Sequence, residues 1–413
     1  QFARTIRQDN SPGQFARTSF RQDFTMVTMQ ESPALRRVVS IDALRGFDMF
    51  WIMGASSLVH GIQELAKSDT LKGIDPQSLT LVAEQLKHVA WEGFHFWDLI
   101  FPLFVFLMGT SAVFSLTKVI AQRGKVAAYR RVLLRALALY VLGLIYYGGR
   151  GDPESFRYVG VLQRIAICYL FGGLLFIHFR FRGLLAISAV LLGGYWAAMT
   201  FIDVPEHGRG NYQEGLNLAN YIDKHYLAGY KWDGDWDPEG LLSTLPAIAT
   251  GLLGMLAGLI IQNENSAAWK KLFYLLVLGG VCLAGGHFWG MHFPIIKKLW
   301  TSSYVLLAGG WSFLLLAVFY LVIDVWKIRF WAQPFVWIGT NCITIYMLQN
   351  FVGGFSSLVY RASPAWTIAQ RVIPAQVVDQ IEPYGPLTVS ILGLLFAMLL
   401  CRSLYRQGAF LRV

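Results

Sequence analysis

The stretch His88-Val89-Ala90-Trp91-Glu92-Gly93-Phe94-His95-Phe96-Trp97-Asp98 sets an imidazole and a carboxylate at the mouth of a strongly apolar run. An imidazole changes charge near neutral pH, so His88 suits proton transfer or nucleophilic attack. His95 competes with it within the same stretch, and Trp91 adds an aromatic ring to the mouth. Asp98 opens the apolar run, where a bare carboxylate is costly. It therefore needs a partner, and the sequence offers two: His88, which it could orient, or Arg164. Pro102, one turn further in, is expected to kink the helix and free a backbone carbonyl.

Other polar groups stand where a membrane should not tolerate them. Each costs about 2.5–3.5 kcal/mol near the bilayer centre and needs a reason. Asp42, Arg45 and Asp48 follow one another at i, i+3 and i+6, close to one helical face. They form a salt bridge at the membrane edge, the polar floor of a cavity, or both. Arg164 could snorkel, bind an anion or pair with Asp98. Asp237 and Glu239 could cap a helix, or bind a cationic or polyhydroxyl ligand beside Trp232 and Trp236. Trp300 to Tyr304 brings Ser303 and the Tyr304 hydroxyl to the end of a span, and Asn341 puts an amide inside another. The glycines from Gly251 to Gly258 are at helix-packing spacing. No Walker A, HExxH or GxSxG arrangement occurs. The four cysteines (Cys168, Cys282, Cys342, Cys401) lie inside apolar runs, without the spacing of a disulfide framework or a metal site.

The elements that position these groups must be membrane helices. Of 413 residues, 55% are apolar and 15% charged, with a mean hydropathy of +0.46. That balance argues against a soluble enzyme, a disordered chain and a nucleic-acid-binding module, despite a net charge of +10. Ten apolar runs of spanning length follow one another: 38–60, 94–117, 131–149, 158–178, 183–202, 240–262, 272–290, 299–323, 334–354 and 384–403. Continuous apolarity without alternation selects helices, so the expectation is an all-α polytopic protein. Lys and Arg collect in alternate loops and acids in the others, which places both termini in the cytoplasm. Lys297 and Lys298 fall on the outer side and run against this rule. The outer segments 61–93, 203–239 and 355–383 are long enough to carry function, the last as a surface helix or re-entrant piece. Residues 1–25 repeat the Gln-Phe-Ala-Arg-Thr motif out of step and are read as an added or disordered tail. A single transmembrane domain is expected over 38–405.

Collinear with these segments, the chain resembles the heparan-α-glucosaminide N-acetyltransferase family of membrane acyltransferases. The likeness rests on Ser40-Ile41-Asp42-Ala43-Leu44-Arg45-Gly46, on the run from His88 to Gly109, on Gly160 to Arg164, on Asp237-Pro238-Glu239-Gly240, on Leu299 to Val305 and on Gly339-Thr340-Asn341. It looks closest to bacterial members concerned with amino-sugar use, which implies an inner-membrane location and suggests a homodimer. The resemblance implies transfer of an acetyl group from cytoplasmic acetyl-CoA to the amine of a glucosamine-type sugar across the membrane. The family's active-site histidine falls on His88. Ser56 stands where lysosomal members carry an asparagine, so that contact is not carried over. The large luminal segment of those members has no counterpart here, so a free or short amino sugar is the expected acceptor.

Under that activity, His88 is general base or acetyl-carrying nucleophile, and Asp98 orients it or holds Arg164. Arg45, Lys118, Asn341 and Ser303 are assigned to the acetyl-CoA, the first two facing its phosphates. Trp91, Arg164, Asp237, Glu239, Trp300 and Tyr304 are assigned to the sugar. Neither a metal nor a nucleic acid is called for; membrane lipid is the surrounding partner. The rival readings are a transporter of N-acetylglucosamine and an O-acyltransferase of the same superfamily. The first lacks the internal repeat common in transporters.

Overall fold

The computed structural model describes residues 38–67, 76–148, 153–362 and 384–408. The repeated tail 1–25 and most of the 355–383 segment lie outside the described residues, as does the side chain of Ser56. Among the described residues the fold is helical, with isolated β-bridges and no longer strand.

The chain runs through α1 (Val39–Lys67), α2 (Pro76–Gln85), α3 (Phe96–Tyr147), α4 (Val161–His178), α5 (Phe181–Phe201) and α6 (Leu218–Tyr226). It continues with α7 (Thr244–Gln262), α8 (Ala268–Gly290), α9 (Ser302–Phe319), α10 (Gln333–Gly339), α11 (Cys342–Val352), α12 (Phe355–Ala362) and α13 (Gly385–Gln407). A π-helical turn, Tyr320–Val325, extends α9.

Seven of these helices are long and apolar enough to cross a membrane, or eight if the pair Cys342–Val352 and Phe355–Arg361, bent by 44°, counts as one broken span. The ten apolar runs exceed this number for physical reasons. The runs 94–117 and 131–149 are carried on a single helix, α3, interrupted only at Gly124, whose φ of 77° and ψ of 178° suit glycine alone. Trp97 near its start and Tyr146 and Tyr147 at its end line one cavity, so α3 doubles back at Gly124. The first run forms α1, but Asp42, Arg45 and Asp48 interrupt its apolar character.

Helix α7 is central: 89% of its apolar window is buried, against 28% for α5 and α8. Its small residues let backbones touch. A Cβ on Gly254 would lie 1.9 Å from the Phe106 carbonyl oxygen, and one on Gly109 would lie 2.0 Å from that of Gly251. The Thr110 hydroxyl donates to the Gly254 carbonyl at 2.9 Å. The glycine spacing read from the sequence is thus the α3–α7 contact. Outward faces of α8, such as Phe273, Val281 and Phe288, are exposed and apolar, as lipid-facing helices require.

Candidate active site

Two loops meet at one end of the bundle, and their meeting builds the site. Ile296 forms an antiparallel bridge with Glu92, and the Gly93 amide donates to the Ile295 carbonyl at 2.9 Å. Thr301, just before α9, anchors the second loop. Its hydroxyl accepts from the Ile296 amide at 3.1 Å and donates to the Pro294 carbonyl at 2.8 Å. The turn closes with Trp300 N–H donating to the Lys297 carbonyl at 2.9 Å. It forces Trp300 to a φ of 54°, a region bulky side chains rarely occupy.

This zipper presents His88 to Asp98 and Lys297. His88 Nδ1 lies 2.7 Å from Asp98 Oδ1. Lys297 Nζ lies 2.9 Å from the same nitrogen and 3.3 Å from Asp98 Oδ1. The other Asp98 oxygen accepts the backbone amides of His95 (3.1 Å) and Val89 (3.3 Å), so the carboxylate caps the start of α3 while it holds the imidazole. Asp98 is 1% exposed. Tyr304 fixes the same turn from α9, its hydroxyl donating to the Asp98 carbonyl at 2.7 Å. Burial lowers the His88 pKa below its ordinary 6.5; Asp98 opposes the shift and Lys297 adds to it. Burial also lowers the Lys297 amine, against Asp98 and Glu239.

The choice left open for Asp98 resolves to His88. Arg164 points elsewhere: its guanidinium donates to the Ser243 hydroxyl and, at 3.3 Å, to the Gly240 carbonyl. It lies 4.9 Å from the Trp300 ring centre, and Trp300 Nε1 donates to the Thr250 hydroxyl at 3.1 Å. The pair braces α4, α7 and the Trp300 turn beneath the cavity.

His88 opens into a cavity of about 750 Å³ that penetrates the bundle. Its mouth is polar, with Lys297, Lys298, Arg157, Asp233 and Glu239; its interior is apolar, with Phe101, Phe104, Ile165 and Ile343. Of the residues assigned to the sugar, Trp91, Glu239 and Trp300 are in the wall. Asp237, Tyr304 and Arg164 are buried behind it. Asp237 is 1% exposed and held by Arg157 through Nε at 2.8 Å and Nη2 at 2.7 Å. Arg157 also donates to Glu239 at 2.6 Å and lies between the Tyr147 and Trp232 rings. Of the two tryptophans read beside these acids, Trp232 is exposed at the mouth, whereas Trp236 is buried against Trp91.

The residues assigned to acetyl-CoA separate. Ser303 is fully buried at the His88 end, donating to the Pro294 carbonyl at 3.1 Å. Arg45 sits deep along α1, bonded to Asp42 (3.4 Å), the Gly339 carbonyl (3.4 Å) and the Ser111 hydroxyl. Asn341 is nearby, following the close α1–α10 contact in which a Cβ on Gly339 would lie 1.9 Å from the Asp42 carbonyl oxygen. Its Oδ1 is buried without a hydrogen-bond partner. Lys118 is exposed on α3. Asp48 is fully buried and neither of its oxygens has a hydrogen-bond partner, so the expected three-residue cluster reduces to the Asp42–Arg45 pair.

Sequence reasoning missed Arg157, Lys297 and Arg135. Arg135 stacks on Tyr169 at 4.8 Å and feels the charges of Arg45 and Arg131, extending the cationic region about Arg45. The available signal for Lys297 and Arg157 was their sign: both are cations in loops otherwise rich in acid.

The sequence profile of the family described as "Heparan-alpha-glucosaminide N-acetyltransferase, catalytic" matches residues 37–294. The mouse protein named heparan-alpha-glucosaminide N-acetyltransferase is 29% identical over 332 residues, covering 64% of this chain and 50% of the mouse protein. The human protein of that name is 28% identical over 322 residues, covering 63% and 48%. The chain thus spans about half the length of these curated relatives. Since the matched profile contains the whole His88–Asp98 stretch and more than half of the sequence, the chain belongs to the heparan-alpha-glucosaminide N-acetyltransferase catalytic family.

Proposed function

We propose that this chain is a transmembrane N-acetyltransferase, moving an acetyl group from cytoplasmic acetyl-CoA to the amine of a glucosamine-type sugar on the outer side. The observation that carries the reading is the His88–Asp98 pair at 2.7 Å, set in the wall of a cavity with a polar mouth and an apolar interior. Asp98 accepts from Nδ1–H, which leaves the Nε2 lone pair to take a proton.

The mouth suits an amino sugar. The exposed Trp232 ring offers an apolar face to a pyranose, and the ion-paired rim of Arg157–Glu239 and Lys298–Asp233 offers donors and acceptors to its hydroxyl and amine groups. The apolar interior suits the slender arm of the thioester, and the cations about Arg45 suit its phosphates. An ammonium proton first leaves to water through the mouth. The amine lone pair then attacks the thioester carbonyl carbon, forming C–N as C–S breaks. His88 takes the remaining excess amine proton and returns it to the departing thiolate.

In this reading ten helical segments cross the membrane, counting α1 and both halves of α3. Both termini are cytoplasmic and the membrane is the bacterial inner membrane. Family membership supports the reaction class. Proteoliposomes containing the full chain, with glucosamine on one side and labelled acetyl-CoA on the other, test the direction. Labelled N-acetylglucosamine should form on the sugar side. Product formed only when both substrates share one side refutes transfer across the membrane.

A further inference from the structure

Resting on the acetyltransferase reading, we propose that Lys297 is a catalytic residue: its ammonium binds the oxygen of the acetyl carbonyl as that oxygen takes on negative charge. Transfer to an amine passes through a tetrahedral adduct whose oxygen holds the π pair of the carbonyl. His88 handles the proton and Asp98 holds His88, so neither meets that charge. A donor aimed at the oxygen from the cavity wall is required.

Lys297 stands where that donor is needed. Its Nζ lies 2.9 Å from His88 Nδ1 and 3.5 Å from Nε2, so the amine sits beside the imidazole ring and off the line from Nδ1 to Asp98. Asp98 Oδ1, 3.3 Å away, takes one ammonium hydrogen and balances the charge. The side chain is 20% exposed and lies in the cavity wall, which leaves the other hydrogens for a bound group. An amine that gives its proton to Nε2 stands within about 3.2 Å of it. The carbonyl oxygen is bonded to the carbon that this amine attacks, so it comes within reach of Nζ.

The neighbouring donors are engaged. The Val89 and His95 amides both go to Asp98. Trp91 Nε1 donates to the Tyr212 carbonyl at 3.0 Å, and Trp300 Nε1 to Thr250. Lys298 pairs with Asp233 at 2.9 Å, and Arg157 with Asp237 and Glu239. Trp97, its ring centre 6.0 Å from that of His88, adds a neutral indole to the same wall. The Glu92–Ile296 bridge and the Lys297–Trp300 turn fix the ammonium at this point. In the step itself the amine lone pair forms C–N while the carbonyl π pair moves onto the oxygen beside Lys297. His88 takes the excess amine proton. The pair then returns from oxygen, C–S breaks, and the thiolate takes the proton from His88. Lys297 keeps its own protons throughout.

The test uses the purified full chain and the ester analogue of acetyl-CoA, with oxygen in place of sulphur and ¹³C at the carbonyl, in the absence of sugar. In isotope-edited infrared difference spectra the carbonyl band of the bound analogue should lie at lower frequency in the wild type than in Lys297→Met, with Lys297→Arg between them. The same frequency in wild type and Lys297→Met overturns the proposal. A shift that survives Lys297→Met and vanishes in Trp97→Phe assigns the oxygen to Trp97 and overturns it as well. Acetyl transfer supplies the second readout. Lys297→Met should lower kcat by about 10²- to 10³-fold, the usual cost of one lost oxyanion donor, with the KM for the sugar little changed. Losing the Lys297 charge also moves the acid limb of the pH profile upward, so each rate is taken on its own plateau above that limb, where His88 is unprotonated. Equal plateaus overturn the role; should Lys297→Met not fold, Lys297→Leu replaces it. A wild type that transfers no acetyl group refutes the acetyltransferase reading, while the infrared comparison still decides whether Lys297 meets the carbonyl.

Discussion

Lys297 Nζ stands 2.9 Å from His88 Nδ1 although 209 residues separate the two in the chain. The contact exists because a single bridge, Glu92 to Ile296, zips the loop before α3 onto the loop before α9. The imidazole is thereby gripped between a carboxylate and an amine at the mouth of a cavity, an arrangement suited to proton transfer and costly to keep for packing alone.

His88→Ala should lower kcat by about 10²- to 10⁴-fold, the usual range for a lost general base. Melting temperature should change little, because the side chain is more than half exposed. Partial desolvation at the cavity mouth, aided by the Lys297 charge, holds His88 below its ordinary 6.5. The base is therefore unprotonated at neutral pH, and the acid limb of kcat/KM should fall below about pH 6.5. A pH–rate profile measures both.

Asp98→Asn keeps the shape of the side chain but replaces one accepting oxygen by a donor. Nδ1–H then loses its acceptor. A fall in kcat of about 10²-fold or more is expected, with KM for the sugar less affected. Circular dichroism melts check that the cap on α3 survives.

Arg157→Ala strips the bidentate partner from the buried Asp237 and from Glu239. Leaving a buried carboxylate unpaired costs about 3–5 kcal/mol. A clear loss of thermal stability in detergent is expected. Arg157→Lys should recover only part of it, since an ammonium cannot reproduce the fork.

How far the sequence displays this molecule depends on the range of the interaction. Helices follow from apolar run length, and the α3–α7 contact from the glycines between Gly251 and Gly258, because both are local patterns. His88 and Asp98 were legible for the same reason: they lie on one short stretch. The partners of Arg164, Ser243 and Trp300, come from distant parts of the chain, and no local spacing announces them. The charge rule for loops sets Lys297 aside as an exception, and Arg157 lies 80 residues before its partner Asp237. In the fold both are cations drawn to buried acids.

Asp223 carries a pH signature in stability. Burial raises its carboxyl to about 6, despite amide hydrogen bonds from Leu241 and Asp237. A carboxyl raised above its ordinary 3.8 favours the folded state when protonated. That contribution is complete below about pH 3.8 and is lost as pH rises through about 6. The melting temperature of the wild type should therefore decline between pH 4 and 7 relative to Asp223→Asn. Parallel curves contradict the assignment.

Gly254→Leu forces a side chain into the Phe106 carbonyl, where even a Cβ would lie 1.9 Å away. Destabilisation by about 1–3 kcal/mol or more, or failure to fold, is expected. Gly280→Ala, where a Cβ meets nothing within 4 Å, should be tolerated. Comparing detergent melting curves of the two variants checks the contrast.

The most direct measurement is a single assay: purified full chain, labelled acetyl-CoA and glucosamine, with His88→Ala beside the wild type. The expected result is labelled N-acetylglucosamine and free CoA thiol from the wild type, formed one for one, and little or none from the variant. No acetylated sugar from well-folded wild type, or equal product from His88→Ala, contradicts the role given to the His88–Asp98 pair.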